Sequence, residues 1–154
     1  MNVSLGNDAF GGIVGGSMDN KPTTNETTEQ RKTVSINTIL REFDVPSTID
    51  YFSLDVEGAE EMVMEHFPFD TYKINILTIE RPSLVLQANL RANGYVFVEM
   101  IWYFGETLWV HQNIVDMLGL AKIKSVIQMN HSVKRPKKGY HVFDMATGEM
   151  KIMK

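Results

Sequence analysis

The sequence contains no cysteine. Disulfides, thiolate zinc sites and a cysteine nucleophile are therefore excluded, although this absence does not identify a compartment. No apolar run approaches the roughly 20 residues that a helix needs to cross a bilayer, and the first residues lack a secretion-signal pattern. An excess of positive charge is missing too. Fifteen Lys and Arg against nineteen Asp and Glu give a net charge of −4, which argues against a general nucleic-acid footprint. The four histidines show no metal-ligand spacing, and no internal repeat is visible.

What is present is an ordinary globular balance. Hydrophobic residues make up 44% and charged residues 22% of 154 positions, enough for one domain with a proper core. The expected organisation has three parts: a Gly-rich and polar flexible segment over 1–32, a core over 33–112 and an extension over 113–154. Gly6, Gly11, Gly12, Gly15 and Gly16 break any sustained pattern in the first part, although Val3–Leu5 can form a short strand. The run Gly11–Gly16 lacks a Gly-Lys-Ser/Thr ending, a preceding strand and a following helix, so it reads as a surface loop rather than a phosphate loop. Lys21–Lys32 has no apolar anchor and reads as disordered or as a lid.

The centre of the chain is Tyr51-Phe-Ser-Leu-Asp-Val-Glu-Gly-Ala-Glu60. Its first half reads as a buried strand, its second half as a turn at Gly58 leading into a helix over Ala59–Met64. Asp55 and Glu57 fall at the crossover, where ligands bind in open α/β sheets. Two readings stand side by side. The carboxylates either cap the helix N-terminus or form part of a reactive site.

Around this unit the pattern continues. Ile36, Ile39, Leu40 and Phe43 fall on one face of a short helix that ends before Pro46. Ile74–Ile79 reads as a second parallel strand ending in Glu80, and Ser83–Arg91 as a helix stopped by Asn93-Gly94. Tyr95–Met100 and Thr107–Val110 read as a strand pair around Gly105-Glu106. This order is the second half of a doubly wound sheet with an antiparallel edge. Tyr95, Phe97, Trp102, Tyr103, Phe104 and Trp109 are assigned to the core. In the extension, Asn113–Leu118 and Ala121–Met129 are helical in character. Asn130–Gly139 is a linker carrying Lys134, Arg135, Lys137 and Lys138, and Tyr140–Asp144 with Glu149–Met153 forms a hairpin.

Ser53-Leu-Asp-Val-Glu-Gly-Ala-Glu60, Leu77-Thr-Ile-Glu80, Asn93-Gly-Tyr95 and Thr107-Leu-Trp-Val-His111 together resemble the FkbM family of methyltransferases. The resemblance covers roughly 33–112 and, more weakly, the Gly-rich loop. It implies an α/β fold: a partial Rossmann-like (class I methyltransferase) sheet holding strands four to seven, plus the helix and hairpin extension. It implies S-adenosylmethionine as cofactor and transfer of a methyl group to a small metabolite or sugar hydroxyl. Asp55, Glu57 and Glu80 are then the catalytic candidates, with Asp55 and Val56 at the cofactor. No Asp/Glu-x-Gly-x-Gly motif follows an apolar strand, so the cofactor site is expected to be incomplete in this chain, as in a fragment, with an exposed sheet edge open to self-association. Close carboxylates can also share a divalent cation with substrate oxygens. Two other classes compete: a catalytically inactive methyltransferase-like interaction module, and a metal-dependent hydrolase built on Asp55, Glu57, Glu80 and His111.

Overall fold

The computed structural model describes residues 1–4, 12–14, 28–130 and 139–153. Two compact units divide these residues, one comprising Met1–Val45 and Asp55–Phe67, the other Pro46–Leu54 and Pro68–Lys154.

In the first unit, strands β1 (Asn2–Ser4), β2 (Gly12–Ile13) and β3 (Thr28–Gln30) form an antiparallel sheet in the order β2-β1-β3. The Val14 N–H bonds the Asn2 carbonyl at 2.9 Å and the Arg31 N–H that of Met1 at 2.8 Å, so the pairing continues past the strand ends. Apart from the short strand allowed at Val3–Leu5, the sequence predicts loop here. Very short strands joined across long sequence gaps leave no local period to read, which is why pattern analysis misses them. The expectations for Gly11, Gly15, Gly16 and residues 21–27 lie outside the described residues.

Helix α1 (Ile36–Glu42) begins at Ser35, whose hydroxyl accepts the Thr38 N–H at 3.2 Å. Asp44 takes a left-handed φ of 49° and ends the helix ahead of Pro46. The expected apolar face is only partly used: Leu40 is buried, whereas Phe43 is 73% exposed. Helix α2 (Glu60–Glu65) buries Met64 and presents Glu60 and Glu61 to its own N-terminal dipole.

In the second unit, β4 (Thr48–Leu54) and β5 (Lys73–Glu80) pair in parallel, with Ile49 opposite Ile74 and Leu54 opposite Ile79. Strands β6 (Tyr95–Met100) and β7 (Glu106–His111) complete a sheet in the order β4-β5-β7-β6. This four-stranded mixed sheet, its helices and a terminal hairpin form the partial Rossmann-like arrangement that the resemblance implies. One detail differs from the sequence reading. The antiparallel strand β7 lies inside the sheet, between β5 and β6, and the edges are β4 and β6. Its own residues explain this, because Thr107, Trp109 and Val110 are all buried, as befits a strand covered on both faces.

Helix α3 (Leu84–Ala92) packs against β6 and buries Leu86 and Leu90. Ser83 caps it by accepting the Leu86 N–H at 3.0 Å, and Gly94 (φ 81°) lets the chain reverse into β6. The Arg91 guanidinium lies 5.1 Å from the Trp109 ring centroid, a cation–π contact. Helices α4 (Gln112–Leu118) and α5 (Leu120–Asn130) meet at Gly119. The hairpin of β8 (His141–Asp144) and β9 (Glu149–Ile152) turns where Asp144 Oδ1 accepts the Ala146 N–H at 2.8 Å. Buried Gln87 ties the hairpin to α3 by donating to the Met145 and Pro82 carbonyls, at 3.2 and 3.0 Å. Residues 131–138, including the basic run, lie outside the described residues.

Of the aromatic residues assigned to the core, Tyr95 and Trp109 are buried there. Trp102 and Phe104 instead stand about half exposed on the loop between β6 and β7. Apolar identity fixed neither position, since a hairpin loop has no facing layer to bury its side chains.

Candidate active site

Because β4 and β5 are parallel neighbours, Glu80 closes one strand at its carboxyl end and Asp55 is the residue that follows the other. The loop after β4 is built by its own short-range bonds. Val56 and Gly58 both donate their N–H groups to Glu60 Oε1, at 2.9 and 3.4 Å, and the Ala59 N–H reaches the Val56 carbonyl at 3.3 Å. Glu57 and Gly58 are both left-handed, with φ of 54° and 92°. A non-glycine residue held there stores roughly 1–3 kcal/mol, and such strain gathers at functional sites. Charge-assisted bonds to the Glu60 carboxylate offset that cost.

The start of α2 bears on the capping reading of Asp55 and Glu57. The N-cap of α2 is Ala59, and the cap carries no side-chain hydrogen bond. Asp55 makes no capping hydrogen bond to the helix among the described residues. The carboxylate that organises the loop is Glu60, which the sequence reading does not single out. A signal for it exists: an acidic side chain in the first turn of a helix, close behind a Gly, is placed to collect loop amides. Asp55 is exposed and has no hydrogen bond or ion pair among the described residues.

At the end of β5, Glu80 Oε2 pairs with Arg81 Nη2 at 2.7 Å, both side chains being largely buried. Arg81 is also left-handed (φ 43°), and its N–H donates to the Gly105 carbonyl at 2.9 Å. This bond draws the β6–β7 loop to the same end of the sheet as Glu80. Gly105 (φ 111°) has no room for a side chain: an added Cβ would lie 2.5 Å from Arg81 Cγ and 2.9 Å from the Phe143 side chain. On that loop, Tyr103 stacks between Trp102 and Phe104, with ring centroids 5.3 and 4.4 Å away.

His111 lies elsewhere. As the last residue of β7, which runs antiparallel to β5, it stands at the opposite end of the sheet from Glu80. Its Nδ1 accepts the Asn113 N–H at 3.2 Å and caps α4, and its ring meets Tyr95 edge-on at 5.3 Å. Burial, and secondarily the charge of Lys73, holds its pKa below the ordinary value. A hydrolase centre combining His111 with Glu80 is thus not assembled.

Comparison with known protein families matches the methyltransferase FkbM domain to residues 4–118. The chain belongs to the FkbM methyltransferase family. The match runs from the last residue of β1 through α4, beyond the 33–112 stretch that carries the resemblance, and a methyltransferase function in general follows from it. No curated protein and no solved structure matches the chain.

Asp55 and Val56 are the residues that the resemblance places at a cofactor. Val56, however, has its N–H committed to Glu60 and its carbonyl to Ala59, so only its half-buried side chain is available to a cofactor.

Proposed function

We propose that the protein transfers the methyl group of S-adenosylmethionine to a hydroxyl oxygen of a small metabolite or sugar. The observation that carries this reading is Asp55: a carboxylate with no partner among the described residues, in the Asp-Val-Glu-Gly-Ala-Glu segment of an FkbM domain, directly after a parallel strand. S-adenosylmethionine, when bound, supplies an electrophilic methyl group on sulfur. Asp55 would orient the acceptor hydroxyl and take its proton as the oxygen–carbon bond forms and the methyl–sulfur bond breaks, with S-adenosylhomocysteine leaving as the neutral thioether. Glu57 accepts a hydrogen bond from a further hydroxyl of the acceptor, and Glu80, paired with Arg81, remains a further carboxylate candidate.

The test is transfer of labelled methyl from S-adenosylmethionine to a panel of sugars and small alcohols, with the full chain and with Asp55→Asn. The substitution keeps shape and removes the base. Transfer should drop at least a hundredfold with the melting temperature unchanged. Wild-type rates in the variant would refute Asp55 as the base.

A second reading is favoured by the committed amides of Val56 and Gly58: a methyltransferase-like module that binds without catalysing. Calorimetric titration with S-adenosylmethionine separates the two, since absence of both binding and transfer supports the module. The edge strand β4 is then the surface for self-association, checked by light scattering.

A further inference from the structure

A cleft of about 740 Å³ lies along the free edge of β6, closed by α5 and by the β8–β9 hairpin. Its closing elements fall outside the FkbM match, which ends at residue 118. The volume falls within the range of small-molecule sites. A register shift between Phe97 and Glu99 interrupts the β6 ladder, and four consecutive residues from Phe97 to Met100 line the cleft. Bulges of this kind re-aim side chains, often beside binding sites. Phe97, Met100, Phe143 and Met153 give it an apolar wall whose methionines adapt to different shapes.

Two opposite charges line the same cleft. Lys124 and Glu99 are each half-buried, and neither has a hydrogen bond or an ion pair among the described residues, including with the other. The other charged pair there, Lys151 and Asp144, is already joined at 2.5 Å. A partly desolvated charge without a partner is a cost that a ligand of opposite charge relieves. One ligand relieves both here if it carries an anion and a cation on an apolar body.

We infer that this cleft binds an apolar zwitterion, a hydrophobic amino acid or short apolar peptide, with its carboxylate on Lys124, its ammonium on Glu99 and its side chains on the Phe and Met wall. The site is independent of the methyl-transfer reading, because it uses neither Asp55, Glu57 nor Glu80.

The test uses the full chain and calorimetric or NMR titration with L-phenylalanine, L-leucyl-L-phenylalanine, and that dipeptide N-acetylated or amidated at its C-terminus. The free dipeptide should bind saturably, and each cap should weaken it roughly tenfold or more. Lys124→Gln should erase the penalty for amidation, and Glu99→Gln the penalty for acetylation. Equal binding of capped and free forms, or no saturable binding by either free ligand, would overturn the proposal. The capped series on the unmodified protein decides the matter even where a variant fails to fold.

Discussion

Replacing Thr107 by Val tests whether a buried hydroxyl, rather than apolar packing alone, fixes the middle of the sheet. Thr107 is fully buried; its hydroxyl donates to the Ile79 carbonyl at 2.7 Å and accepts the Trp109 indole N–H at 2.9 Å. Valine has the same shape but can do neither. The indole N–H would be orphaned in a fully buried side chain, at a cost of about 1–3 kcal/mol, and the hydroxyl–carbonyl bond is worth about 1 kcal/mol more. The extra methyl of valine returns part of this, leaving a loss of about 2–3 kcal/mol. For a chain of this size that lowers the melting temperature by roughly 4–10 °C. Urea unfolding of Thr107→Val, Trp109→Phe and the double variant measures the coupling directly. Thr107→Val should cost much less in the Trp109→Phe background, where no indole N–H remains to be orphaned. A single-variant loss below about 0.5 kcal/mol, or an equal loss in both backgrounds, would refute the reasoning.

Gly105→Ala should destabilise the second unit by about 2–4 kcal/mol, because the new methyl meets Arg81 and Phe143 at a left-handed residue; thermal unfolding reads this. Glu60→Ala should cost about 2–3 kcal/mol and Glu60→Gln about 1, with faster hydrogen exchange at the Val56 and Gly58 amides in the Ala variant as the specific sign. His111 binds its proton more weakly in the folded chain than in the unfolded one, whose value is near 6.5, so its contribution is full above that pH and is lost as pH falls through the lowered folded value. The urea midpoint should therefore decline as pH falls below about 6.5, and His111→Gln should flatten that part of the slope.

Much of the second unit is legible residue by residue. Ile74–Ile79 is β-branched and continuous, Ser83 and Asn93-Gly94 bracket α3, and Ala-Thr-Gly marks the final hairpin; each signal acts within a few positions of its cause. Asp55 and Glu80 are placed by the same local logic, since a strand's end shows in the change of pattern. The misses share a different cause. The pairing of β1 with β3 and the insertion of β7 are set by distant partners. Glu60 escapes notice because its work is done on backbone amides, and backbone amides carry no side-chain signature. Phe43 is assigned to a buried face because periodicity shows where a face is and not whether anything covers it.

The interior position of β7 also sets an order of events during synthesis. Strand β5 leaves the ribosome with β4 available on one side, but its other neighbour is encoded beyond β6. Until Glu106–His111 emerges, the β5 edge and β6 itself have no sheet partner, and the apolar faces of Leu77 and Ile79 have no Trp109 beside them. Translation pauses or premature stops before Glu106 would thus release a chain with the inner edge of β5 open and β6 wholly unpaired, the kind of nascent species that chaperones retain and that aggregates when they do not.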